Sequence, residues 1–120
     1  MAGDALAEMT AALLKFRAER DWEKFHNVKD QIVSLNLEAA EVLELTQWRQ
    51  GEELAEHLKQ NKTLLADELA DVLGWLLLIA HDQSIDLPAA FADKLARNAK
   101  KYPIDQAKGR ADKYTAYEPK

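Results

Sequence analysis

Cysteine is missing from all 120 residues, which removes disulfides, thiolate metal sites and cysteine nucleophiles. Glycine and proline are scarce, at four and three. Valine, isoleucine and threonine are too few for a chain built of strands, whereas alanine, leucine, glutamate and lysine favour helix. The longest apolar run, Val72 to Ala80, has nine residues against the roughly 20 that a membrane helix needs. The opening Met1-Ala2-Gly3-Asp4 has neither the basic start nor the apolar stretch of a secretory signal. A broad positive face is lacking as well, because the formal net charge is −5. These absences argue against a membrane protein and against a partner that is a nucleic acid polymer. They leave an all-α protein of the cytoplasm.

What is present is 48% hydrophobic and 31% charged, too apolar for a disordered chain and the right length for one core. Charge is uneven: residues 1–93 carry a net −10 and residues 94–120 a net +5. Residues 1–103 read as a helical domain and residues 104–120 as its basic tail, extended or partly ordered. A first helix is expected over Ala5–Arg20, capped by Asp4, with Leu6, Met9, Leu13 and Phe16 as its apolar stripe. Arg20–His26 reads as a connection. A long helix follows over Val28–Gln50 with Gly51 as its stop, then a short polar one over Glu52–Lys59. Thr63 opens a fourth running to Asp82, and Pro88 sits in the first turn of a fifth that ends before Tyr102-Pro103. The fourth helix is apolar almost all round, through Leu69, Val72, Leu73 and Leu76–Ile79, with Gly74 allowing close approach. A helix with no wet face needs cover on every side. We therefore expect a four-to-five-helix bundle assembled as a homo-oligomer, a dimer of dimers.

Four acids sit where apolar residues belong. Glu38 and Glu41 lie three apart on one face of the second helix, with Leu45 between them around the axis. On the fourth helix, Glu68 falls between Trp75 and Ile79, and Asp71 between Leu64 and Leu78, at about 100° per residue. Taking ionised carboxylates out of water costs several kcal/mol each, and neighbouring ones repel. Such a group persists if protonated, paired with cations, or gathered around hard metal ions. Two divalent ions would balance four charges, and oxygen ligands suit Mg2+, with Mn2+ as a substitute. A pair merely facing a solvent cleft or an interface remains open at this point. A di-iron site needs two Glu-x-x-His motifs, and the sequence has one, Glu23 to His26.

The spacing Glu38-x-x-Glu41 and Glu68-x-x-Asp71, with 26 residues between the halves, resembles the all-α nucleotide pyrophosphohydrolases of the MazG-like superfamily. So do "ERDWEKFH" (19–26), "ELTQW" ending at Trp48, "DLP" (86–88), "KYP" (101–103) and "KYT" (113–115), which look like its small dCTP pyrophosphatase branch. The resemblance implies hydrolysis of a nucleoside triphosphate between its α and β phosphates, with Mg2+, to clear unwanted dNTPs from the pool. It makes Glu38, Glu41, Glu68 and Asp71 the metal ligands. It also sets Lys94 and Asn98 against the phosphates and Trp22, His26 and Trp48 around base and sugar. Glu44 continues the series from Glu41 and could serve as base to the attacking water or stand as a solvated rim residue. Each Trp could equally be core packing. Arg110 and Lys113 could reach phosphates from the tail.

Two departures bear on the base. Leu13 stands where close members carry a His, and Trp75 where some have a Tyr. We expect dCTP or a related or modified dNTP as substrate. The rival reading is a non-catalytic nucleotide-binding or regulatory helical module.

Overall fold

A computed structural model describes residues 2–117, with side chains from residue 5. Its six α-helices are α1 (Ala2–Glu19), α2 (Val28–Glu44), α3 (Gly51–Gln60), α4 (Lys62–Asp82), α5 (Leu87–Lys101) and α6 (Ile104–Ala107). Two 3-10 turns cover Glu23–Phe25 and Tyr114–Ala116, and no strand occurs among the described residues. The all-α expectation holds, with one more helix, of four residues, than the four or five expected.

Several boundaries shift for identifiable reasons. α1 begins at Ala2, so Asp4 lies inside its first turn rather than at its cap. α2 ends at Glu44, six residues before the expected stop at Gln50. Thr46 ends it by turning its hydroxyl back onto the Leu43 carbonyl at 2.8 Å. Gly51 then opens α3 with φ +60°, the left-handed backbone that glycine adopts without steric cost. α4 starts at Lys62, one residue ahead of Thr63, which is therefore not its cap.

The chain divides into two compact units, with the boundary in the sequence between Ile85 and Asp86. In the first, α2 and α1 pack along α4, and α3 touches it. The buried centre is Leu77, Leu78 and Ala80 of α4 with Arg17 and Gln31. The face of α2 turned inward is Gln31, Ser34, Leu35, Glu38 and Val42, the α2 residues that are not exposed, and Leu45 just past its end continues it. That outer side carries Ile32, Val33, Leu37 and Leu43, all exposed. The apolar surface left open on α4 is narrower than its sequence suggests: Leu64, Leu69 and Leu76 are exposed while Leu77 and Leu78 are buried.

The second unit opens with Asp86, whose carboxylate accepts from the Ala89 amide at 3.1 Å and caps α5, with Pro88 in the first turn. The described part of its tail, expected to be extended or partly ordered, holds ring contacts. Tyr102 meets Tyr114 and Tyr117 edge to face at 5.9 and 5.8 Å, and Arg110 lies 5.1 Å over the Tyr117 ring.

Candidate active site

The facing stripes of α2 and α4 carry the acids toward each other. One carboxylate oxygen from each of Glu38, Glu41 and Glu68 lies within 4.8 Å of the other two. Glu38 and Glu68 are half-buried and Glu41 is exposed. Oε2 of Glu38 and Oε2 of Glu68 are buried without a hydrogen-bond partner. No Lys or Arg among the described residues forms an ion pair with these acids. Burial first, then the Glu41 charge, pushes the Glu38 carboxyl above the usual range. Hydrogen bonding with Glu41, then burial and the charges of Glu41, Asp71 and Glu38, pushes Glu68 up to about 7. A half-buried set of hard oxygen donors, with two lone oxygens and no cation of its own, fits a divalent metal ion.

Asp71, one turn past Glu68 on α4, is exposed and outside the tight trio, yet its charge acts on both Glu38 and Glu68. It also lines the wall of a cavity of about 200 Å³. Leu13, Phe16, Trp22, Trp75 and Leu78 supply the apolar lining, and Arg17 and His26 the other polar groups. Trp22 packs edge-on against Phe16 at 5.7 Å, and the His26 ring lies 5.3 Å from that of Trp75. Flat faces beside a carboxylate cluster suit a planar ring joined to a polyanion held by metal ions.

The other expected site residues stand apart. Glu44 is the last residue of α2 and is exposed, outside the acidic trio. Trp48 follows in the loop with φ +66° and 95% of its surface exposed, away from the cavity wall. Left-handed backbone is unfavourable for a residue with a bulky side chain. Lys94 and Asn98 share a face of α5, one turn apart, in the second unit. Arg110 donates from Nε to Asp112 at 2.8 Å, and Lys113 heads the turn Tyr114–Ala116.

A buried polar group that the sequence reading passed over lies beside the cavity. Arg17, 4% exposed, grips Asp82 with Nη1 and Nη2 at 2.8 and 2.9 Å. Gln31 Nε2 donates to Asp82 Oδ2 at 2.7 Å, and Arg17 Nη1 reaches His26 Nδ1 at 3.3 Å. The Arg17 guanidinium holds the Asp82 carboxyl below its ordinary range, and Asp82 in turn raises Arg17. The signal was available: at about 100° per residue Arg17 falls between Leu6 and Leu14, about 20° from Leu6, with Phe16 at the far rim of the stripe. Phe16 is accordingly 46% exposed.

The MazG-like family matches residues 33–116 of this chain. The dCTP pyrophosphatase 1 of Rattus norvegicus is 39% identical over 103 residues, covering 84% of this chain and 61% of the rat protein. That of Homo sapiens is 36% identical over the same shares. The chain thus spans 61% of the length of these curated relatives. Among solved structures, a pyrophosphatase from Archaeoglobus fulgidus has a TM-score of 0.79 and 36% identity, covering 82% of this chain and 93% of that one.

Proposed function

Because the chain belongs to the MazG-like family, we propose that it is a nucleoside triphosphate pyrophosphohydrolase that cleaves dCTP or a related dNTP into the monophosphate and pyrophosphate. The observation that carries this reading is the trio Glu38, Glu41 and Glu68, with lone buried oxygens, linked through Asp71 to an aromatic cavity. The names of the rat and human relatives support the substrate class.

Glu38, Glu41, Glu68 and Asp71 would hold Mg2+, or Mn2+ in its place. Such ions supply neutralisation of phosphate charge and acidification of a water. The residues themselves do the positioning that phosphoryl transfer mainly requires. Trp22 and Trp75 offer ring faces to the base, each stacked face contributing about 1–3 kcal/mol. Lys94 and Asn98, with Arg110 and Lys113, supply donors for phosphate oxygens, Arg110 by exchanging its bond to Asp112. Glu44 takes the role of base toward the attacking water. The exposed apolar row on α2 and the exposed Trp48 support assembly with further copies, to a homotetramer in which Trp48 lies against a neighbour's nucleotide. No helix among the described residues is long and apolar enough to cross a membrane.

Incubation of each dNTP with Mg2+, followed by separate assays for pyrophosphate and orthophosphate, tests the reading. Pyrophosphate with monophosphate is expected, with Glu41→Gln and Asp71→Asn lowering turnover at least about a hundredfold while retaining the helical fold. Orthophosphate as first product, or near-normal rates in either variant, would overturn it. Absence of any product would favour the non-catalytic nucleotide-binding module.

A further inference from the structure

An arginine guanidinium has N–H donors and no acceptor. At the 3.3 Å contact with His26, Arg17 must therefore donate, and Nδ1 must accept. The imidazole proton then resides on Nε2, on the other side of the ring. Arg17 cannot easily turn to another partner, because Asp82 holds both terminal nitrogens and Gln31 holds Asp82. Glu23 stands a further 4.0 Å from Nη2. Arg17 and Gln31 are 4% and 1% exposed, so water competes poorly for these bonds. The chain of contacts joins α1, α2 and α4 and ends at an imidazole in the cavity wall, against Trp75. Leu13 and Phe16, which also line the cavity from α1, offer no polar side-chain atom.

We propose that Arg17, Asp82 and Gln31 are positioning residues that fix His26 as a hydrogen-bond donor toward the base, favouring a ring edge that presents acceptors. This rests on reading the cavity as the base site. Both pyrimidines carry O2 as an acceptor, but N3 is an acceptor in cytosine and an N–H donor in thymine. A donor fixed on Nε2 and directed at N3 therefore pairs with cytosine and meets N–H against N–H in thymine. The preference is thereby set by groups buried behind the histidine rather than by the histidine alone.

The test follows the imidazole nitrogens of 15N-labelled protein by NMR, with His26 identified by the signal lost in His26→Gln. The Nε2–H tautomer is expected in the wild type, and dCMP should shift Nε2 more strongly than dTMP does. The paired replacement Arg17→Met with Asp82→Leu avoids leaving one charge buried alone. In it we expect mixed tautomers and a loss of about tenfold in the dCMP preference, the size of one well-formed hydrogen bond. Arg17→Lys keeps a donor for Nδ1 and a charge for Asp82, and should retain most of the preference. A purely structural role would lower stability without moving the tautomer or the preference. A proton found on Nδ1 in the wild type, or equal shifts from dCMP and dTMP, would overturn the proposal even if the paired variant failed to fold. These readouts need no turnover. Fixed tautomer and dCMP preference without hydrolysis would refute the enzyme reading alone, whereas hydrolysis with a free tautomer would refute this one alone.

Discussion

The Glu68 carboxyl is pushed up to about 7 by its hydrogen bond with Glu41, by burial, and by the charges of Glu41, Asp71 and Glu38 around it. A group whose pKa is higher in the folded state than in the unfolded chain favours folding while it is protonated. That contribution is complete below about 4.5 and is lost as pH rises through about 7. Without divalent ions, the melting temperature should therefore fall across this interval. Glu68→Gln should flatten the fall, and Mg2+ should reduce it by balancing the charges. Melting curves in chelator and in Mg2+ check this. A pH-independent wild-type midpoint, or an unchanged slope in Glu68→Gln, would contradict it.

At the scale of the element, Gly74 separates helix propensity from cavity shape. A methyl built there would meet Leu13 Cδ2 at 3.9 Å, an ordinary contact. The residue lines the cavity, so its smallness serves the ligand space, while α1 has room for a methyl there. Gly74→Ala should stabilise α4 by about 0.5–1 kcal/mol while raising KM, as read from urea midpoints and steady-state kinetics. Unchanged KM would show that the cavity is not where substrate sits. Helices were legible where a periodic stripe met a strong end signal, as at Asp86-Leu87-Pro88. They were misread where the end depended on a side-chain bond, as at Thr46, or where Gly51 could serve either neighbouring helix. The acids were legible because carboxylates in an apolar stripe conflict with local patterning. The Arg17–Asp82–Gln31 group presented one such conflict, Arg17, but its partners lie 65 and 14 residues away, and no spacing rule links them.

For the whole molecule, the open apolar row Ile32, Val33, Leu37 and Leu43 on α2 is the feature that one chain leaves unanswered. Light scattering should give four times the 13.6 kDa of the chain, with Leu37→Glu reducing the mass. A monomeric wild type would contradict the assembly while leaving the chemistry of the acids intact. That chemistry is the central claim, and Mn2+ binding followed by electron paramagnetic resonance, in the presence of a non-hydrolysable dCTP analogue, tests it most directly. We expect saturable uptake by the wild type, weakened at least about tenfold in both Glu38→Gln and Glu68→Gln. Equal uptake by the variants, or none by the wild type, would contradict it.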